Sequence, residues 1–402
     1  MREVVITGYL RTAQSRSTRK DPMKDWLYKL RADELLSRLL PELLRRNNIN
    51  SEEVDDFLVG SAFGVNENWT YGGRTPIFLA NLSEKISAKF IDQQCASSMA
   101  AIHMGFLEIA AGFADIVLAG GLEHMTRVPN SGPTIEKGFV DINPRLFSDN
   151  SYTHWDITTS MNMGLTAEKL FSQTGLTRED LDRWGVRSHQ LATKALKEGF
   201  FQGEILPIEV EQSDGTKTIV DRDQSIREEA SLESIASLKP AFKPDGVITA
   251  GNSSPLNAGA TSMLLMSKET ALKKGIKPMA TIRSIGFVGV DPTVMGVGPV
   301  PAICKALKKA NLSVGDMDYW EINEAFCVVT LNCIKELEID PDRVNVMGGG
   351  TAIGHPLGAT GIRLVGTLAR ILEFKDSRYG CAAACVGGGQ GVATIIERKL
   401  YD

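Results

Sequence analysis

Two stretches of this chain read alike at a nearly constant separation, and that repeat limits the folds open to it. Val54, Asp55, Phe57, Val59, Ala62 and Phe63 face Met317, Asp318, Trp320, Ile322, Ala325 and Phe326, an offset of 263 positions. Further along, Cys95 and His355 stand 260 apart. Each is followed by a helix of small residues and then by an apolar strand ending in glycines, at 115–121 and again at 381–389. Two unrelated α/β segments resemble each other by chance, but three features rarely keep one offset. We read a duplicated α/β unit. Each half is expected to carry its own buried sheet flanked by helices, because runs such as Ile116-Val117-Leu118-Ala119 suit strands covered on both faces. Pseudo-symmetric packing of the halves brings Cys95 and His355 to one cleft, and ligand sites in such sheets lie beyond the strand ends.

The first half is read as residues 1–121 with 250–275, and the second as 276–402. Between them, 122–249 reads as an inserted loop domain over the site. It opens irregularly, through Met125-Thr126-Arg127-Val128-Pro129. Two amphipathic helices follow, near 164–172 and 177–198, the second capped by Thr177 ahead of Glu179 and Asp180. The small-residue run from Thr249 to Ala260 returns the chain to the first half and lets backbone approach a ligand closely.

Length and charge exclude several classes. A chain of 402 residues buries a large core and suits two or three domains. Its net charge of −5 provides no basic face for nucleic acid. No run of eighteen apolar residues suggests a membrane span. The start, Met1 to Gly8, reads as a strand rather than a signal peptide, and Arg398 to Asp402 carries no retention or lipid signal. Six cysteines are too few for a disulfide scaffold in a chain this long, so a reduced, cytoplasmic protein is expected.

The chemistry is expected at three places. Cys95 opens a helix, where the N-terminus favours a thiolate by about 0.3–1 kcal/mol, and a histidine partner lowers a cysteine pKa further. Buried cysteines are common core residues, so Cys95 alone says little. His355, between Gly354 and Pro356, is held in a tight turn and is the candidate partner. Cys385 precedes Gly387-Gly388-Gly389, whose N–H groups can face an oxyanion. Asn323 follows the predicted strand 319–322 and can hold a water or donate to an oxyanion, or merely close a turn. His124, near the end of the strand that starts at 115, is a candidate for the cleft wall. His103 reads as core, and His154 and His189 have no motif around them. Cys381 and Cys385 have metal-ligand spacing, but no second pair completes a zinc set. The glycines after Cys385 lack the acidic residue and helix of a dinucleotide fingerprint.

Taken in order, Cys95-Ala-Ser-Ser-Met, Gly120-Gly-Leu-Glu-His-Met, Met163-Gly-Leu-Thr-Ala-Glu, Gly251-Asn-Ser-Ser, Asn323-Glu-Ala-Phe, Gly354-His-Pro-Leu-Gly and Cys385-Val-Gly-Gly-Gly resemble the thiolase family over nearly the whole chain. The resemblance implies an α/β fold of duplicated, five-layered α-β-α-β-α architecture with an inserted loop domain. It implies Cys95 as the acylated nucleophile, His355 as its base and Cys385 as the acid/base at the acetyl-CoA enolate. Asn323 would hold a water that, with His355, binds the thioester oxygen. The N–H groups of Cys95 and Gly387 would form the second oxyanion hole. Ser254 would contact the pantetheine arm, and Met163 would line the pocket near the acyl group, with His124 a further candidate on the substrate side. Coenzyme A, acetyl-CoA and acyl-CoA would be substrates or products, with no permanently bound cofactor. A homodimer or homotetramer is implied, with room for a hydratase/dehydrogenase partner.

Asp92, Thr351 and Asn162 depart from the residues common at those places in the family, and they leave the substrate open. The Gly-Leu-Glu-His-Met stretch and Lys24-Asp25-Trp26 resemble degradative 3-ketoacyl-CoA thiolases more than biosynthetic acetyl-CoA acetyltransferases. A decarboxylating synthase on the same fold would lack Cys385. A non-catalytic acyl-CoA binder would have no need of Cys95, Asn323, His355 and Cys385 together.

Overall fold

The pairing of the strands repeats as the sequence does. The computed structural model describes residues 1–18, 20–128, 142–211 and 214–399; Pro129 and the residues from Leu400 to Asp402 lie outside them. The first half contains β1 (Val4–Arg11), β2 (Ser15–Arg16), α1 (Ala32–Arg46), β3 (Asp56–Gly60), β4 (Ser87–Ile91), α2 (Ser97–Ala111) and β5 (Ile116–His124). The intervening stretch holds α3 (Met163–Thr174), α4 (Arg178–Lys197) and a two-stranded ribbon of β6 (Ile208–Glu211) and β7 (Lys217–Val220). Then come β8 (Asn257–Ser267), β9 (Ala280–Gly289), α5 (Pro299–Ala310), β10 (Tyr319–Ile322), α6 (Cys327–Leu337), α7 (Thr360–Phe374), β11 (Tyr379–Val386) and β12 (Gln390–Glu397).

In the first half the strand order is β3-β5-β8-β1, parallel and then twice antiparallel. In the second it is β10-β11-β12-β9 with the same directions. β4 extends the first sheet at its edge. The two sheets are not separate, as expected from the sequence, but meet edge to edge. Val5 pairs with Thr281 and Ile6 with Ala280, and the Met279 N–H donates to the Ile6 carbonyl at 2.8 Å.

Composition decides which helix lies where. α1 carries Leu35, Leu36, Leu39, Leu40, Leu43 and Leu44 on one face, acids in its first turn and arginines in its last, and it covers the outer side of the first sheet. α5 covers the outer side of the second sheet against β9 and β12. α2 has one charged residue in fifteen and is buried on most of its circumference. It pairs with α7 between the two sheets, so the layers run helix, sheet, helices, sheet, helix. Both central helices begin at the same place. Gly361 makes this possible, because a Cβ there would lie 2.3 Å from the backbone nitrogen of Met99.

Candidate active site

The crossing of the two helix starts places the residues on which the chemistry depends. Cys95 sits in the turn Gln94–Ala96 just before α2, and Gln94 holds a left-handed φ of 48°. Such a conformation in a residue with a side chain costs about 1–3 kcal/mol, and strain of this kind gathers at functional sites. The Ser97 hydroxyl donates to the Gln94 carbonyl at 2.7 Å and accepts from the Gln93 N–H at 3.0 Å, which fixes the turn. The turn Leu357–Ala359 after His355 packs on it, and so does β11, which carries Cys385. Cys385 feels the charge of Cys95, so the two thiols share one buried space.

The N–H groups of Gly387 and of Cys95 itself both reach the Cys95 sulfur. A Cβ on Gly387 would lie 3.4 Å from Sδ of Met163 and 3.7 Å from Cγ of Gln94. Met163 therefore lies against Gly387, whose N–H faces the sulfur. His355 is 4% exposed. Its Nδ1 is 2.6 Å from Oγ1 of Thr360, and that hydroxyl donates its proton to the Pro356 carbonyl at 3.0 Å. Thr360 must accept from the ring, so Nδ1 carries the hydrogen and Nε2 keeps the lone pair. Nε2 faces Nδ2 of Asn323 at 3.3 Å. The Asn323 Oδ1 is buried without a partner, which leaves an acceptor for a water or a substrate group. Asn257 accepts the His355 N–H at 2.9 Å and fixes the turn from β8.

Electrostatics corrects one expectation. Burial pushes the Cys95 thiol up to about 11, and Glu123 adds to the rise against the two N–H groups. Burial, then the charge of Arg363, pulls His355 down to about 3. Burial and the neighbouring thiols of Cys95 and Cys333 push Cys385 well above the usual thiol range. The helix start does not make a resting thiolate, because desolvation outweighs its small attraction. The Cys95 thiol and the His355 imidazole therefore both rest neutral.

Ser254 donates through its N–H and hydroxyl to the Ala325 carbonyl, at 3.0 and 3.2 Å, beside the Asn323 turn. His124 is placed elsewhere. Its Nε2 is 3.3 Å from the Leu27 carbonyl and its Nδ1 is 4.0 Å from Asp25, so it packs on the N-terminal segment, fully buried. Among the described residues no cluster of three or more His, Cys, Asp or Glu side chains could hold a metal, and no helix is long and apolar enough to cross a membrane. Of the departing residues, Asp92 accepts the Gln94 N–H at 2.9 Å, Asn162 caps α3, and Thr351 approaches the Cys327 sulfur at 3.5 Å.

Sequence reasoning passed over Thr360, Asn257, Glu123 and Glu324. Glu324 accepts from Trp184, Ser188, Asn345 and the Thr351 N–H, and so ties the Asn323 turn to α4. Glu123 accepts from the Ser61 hydroxyl, the Ala62 N–H, the Asn68 amide and the Gly358 N–H. Both lie inside stretches already singled out, one position from a candidate. Their partners come from distant parts of the chain, so adjacency was the only signal.

Residues 4–269 match the model of the thiolase N-terminal domain and residues 276–398 that of the thiolase C-terminal domain. The 3-ketoacyl-CoA thiolase of Vibrio vulnificus (strain CMCP6) is 41% identical over 405 residues, covering 99% of this chain and 100% of that protein. The 3-ketoacyl-CoA thiolase of Saccharophagus degradans is 39% identical over 403 residues, covering 99% and 98%. Among solved structures, human mitochondrial 3-ketoacyl-CoA thiolase superposes with a TM-score of 0.88 at 32% identity, and Bacillus anthracis acetyl-CoA acetyltransferase with 0.86 at 35%. Each of these covers 99% of both chains.

Proposed function

The chain belongs to the thiolase family, an acyltransferase family with coenzyme A as substrate and no permanent cofactor, and from that premise we propose that it is a degradative 3-ketoacyl-CoA thiolase. The observation that carries the reading is two thiols in one buried space, N–H donors already aimed at one sulfur, and an imidazole whose Nε2 faces the Asn323 amide, just before the turn that packs against that sulfur's own turn. In the proposed cycle His355 takes the Cys95 proton as sulfur attacks the 3-keto carbon. The bond between the α and β carbons breaks, and Cys385 gives its proton to the departing acetyl-CoA enolate. Cys385 then takes the thiol proton of free CoA, whose sulfur attacks the acyl-Cys95 thioester. Cys95 leaves as the thiolate and recovers its proton from His355. The proton count closes over the two steps, and a covalent intermediate predicts ping-pong kinetics.

A thiol that rests protonated suits this order, because charge develops only once a substrate has excluded water. The N–H groups of Cys95 and Gly387 would hold the acyl oxygen, and Asn323 with His355 the enolate oxygen. Removing one such donor costs about 10²–10³ in rate. Ser254 and Met163 are assigned to the pantetheine arm and the acyl pocket. We place the inserted domain at 122–249, and the enzyme in the cytoplasm as a dimer or tetramer.

The relatives' names favour the degradative direction, while the two solved neighbours, one of each kind, superpose equally well and do not separate them. Chain length does. CoA-dependent loss of 3-ketoacyl-CoA enolate absorbance should be faster for a medium-chain substrate than for acetoacetyl-CoA, and absent in Cys95→Ser. Cleavage of acetoacetyl-CoA alone would assign a biosynthetic acetyl-CoA acetyltransferase instead.

A further inference from the structure

Behind the imidazole lies a buried ion pair that the proposed cycle does not use. Arg363, on α7, donates from Nη1 to Oε2 of Glu321, on β10, at 2.6 Å, with the two side chains 1% and 0% exposed. Its Nε and Nη2, and Oε1 of Glu321, have no partner. Such a pair is a poor stabilising device. Replacing a buried pair with packed apolar side chains is commonly neutral or stabilising, and unmet buried polar atoms make this one worse still.

Its position gives it another use. Glu321 and Asn323 are two apart on an extended segment, which continues past β10 through the bond from the Asn323 N–H to the Ala383 carbonyl. They therefore share the face of β10 that meets α7. On α7, Thr360 and Arg363 are three apart and share a face as well. Two parallel ties result: Asn323 to His355, which Thr360 holds, and Glu321 to Arg363. Other polar ties hold the start of α7 to α2 and β8, from the Ile362 N–H to the Ser98 hydroxyl at 3.0 Å and from the Thr261 hydroxyl to the Ala359 carbonyl at 2.9 Å, but these do not reach β10, and Ile362, Leu364 and Val365 add apolar contacts. Apolar contacts are non-directional and allow a helix to slide. A charged hydrogen bond has a length and a direction. We propose that Arg363 and Glu321 are a positioning pair, fixing α7 against β10 so that Nε2 of His355 stays on Asn323, and presenting a fixed positive charge to the ring. The proposal rests on His355 being the base of the cycle above.

The charge matters because few others face the ring. From β10 come Glu321, paired with Arg363, and beyond the strand Glu324, whose oxygens are taken up by four donors. From β11 comes Cys385, from the turn before α2 Cys95, and from β5 Glu123, which holds the Gly358 N–H. From β8 comes only the neutral Asn257. Arg363 is the charge that adds to burial in keeping His355 low.

The sign follows. Removing the cation (Arg363→Met) makes the ring more basic, so the acid limb of kcat/KM moves up by roughly one pH unit. Burial pushes Glu321 up to about 8 even beside Arg363, so on the acid limb it is already neutral, and Glu321→Gln leaves the limb in place while weakening the tie. Arg363→Lys keeps the charge but shortens the reach of the single Nη1 bond, so the limb stays and kcat falls. The double variant Glu321→Gln/Arg363→Met removes the cation and its carboxyl partner together and covers the case in which a single variant does not fold. ¹⁵N-histidine NMR, with the His355 signals assigned by loss in His355→Asn, reads tautomer and titration without turnover. An upward movement of the His355 titration in Arg363→Met and in the double variant, with the titration held and kcat lowered in Glu321→Gln, supports the pair's role. A lowered melting temperature with the titration and the acid limb unmoved would overturn it. If wild-type protein cleaves no 3-ketoacyl-CoA, the thiolysis reading fails and the NMR titration alone decides the pair.

Discussion

Replacing Thr360 with valine should switch off the base without touching it. The Thr360 hydroxyl has one proton, given to the Pro356 carbonyl, so its lone pair is what holds Nδ1–H of His355 at 2.6 Å. Valine has nearly the same shape and cannot accept. The ring then either keeps its tautomer with a buried N–H unpaired, or moves the proton to Nε2 and loses the lone pair that receives the Cys95 proton in the proposed cycle. An unmet buried donor costs about 1–3 kcal/mol. At 1.36 kcal/mol per decade this is a fall in kcat of roughly 5- to 150-fold. KM should change little, because Thr360 is fully buried behind the ring. Thr360→Ser keeps the hydroxyl and should retain activity within a few-fold. Steady-state thiolysis of a medium-chain 3-ketoacyl-CoA measures all three proteins, and ¹⁵N-histidine NMR reports the tautomer directly. A valine variant with wild-type kcat, or a serine variant as impaired as valine, would refute the tautomer argument.

Two further outcomes follow from buried charge. Burial raises Glu123 to about 7, against the backbone N–H groups of Ala62 and Gly358. A carboxyl raised on folding contributes stability that is present below its unfolded value and lost as pH rises through the folded one. Glu123→Gln should therefore remove pH dependence between about 4.3 and 7, with the stability deficit of the variant shrinking across that window in urea titrations. A deficit that grows with pH would contradict it. Arg11 donates from Nε to Glu204 at 2.7 Å and from both terminal nitrogens to Asp223 at 2.7 and 2.9 Å, all fully buried. Arg11→Met leaves Asp223 without its cation and Glu204 with only Thr367 and Arg370, and should cost about 3–5 kcal/mol, seen as an earlier urea midpoint. An unchanged midpoint would show that those carboxylates take up protons at little cost.

The legible parts of this molecule are those that local chemistry writes into short stretches. The duplication was readable because Val54 to Phe63 and Met317 to Phe326 each alternate toward a buried sheet, and β3 and β10 do begin 263 residues apart, as do β5 and β11. Cys95, His355 and Cys385 were readable because helix starts and glycine-rich turns have local signatures. What stayed hidden is decided by partners far away in the chain. No local pattern shows that Thr360 points back at the ring, that Arg363 meets Glu321, or that a thiol at a helix start is buried deeply enough to remain protonated. The seam between the sheets was missed for the same reason, since it rests on two residue pairs between strands more than 270 positions apart.

His124 shows how the symmetry both guides and misleads. By the 263 offset, the end of β5 stands where the end of β11 stands in the second half, so Leu122 and His124 correspond to Cys385 and Gly387. A strand end in that place looks like a cleft wall. The two halves use it differently. In the second half, Cys385 and Gly387 face the Cys95 sulfur. In the first, Glu123 turns inward and binds the turns after β3 and after His355, at Ala62 and Gly358, while His124 is left to pack on the N-terminal segment. One scaffold position thus supplies the groups proposed to act at the sulfur in one half and, in the other, the carboxyl that holds the opposing turn in place. In this duplicated fold the difference between the two strand ends is what makes the site asymmetric, since a second Cys385 in place of Leu122 and its neighbours would not supply the Glu123 carboxyl that holds the Gly358 turn.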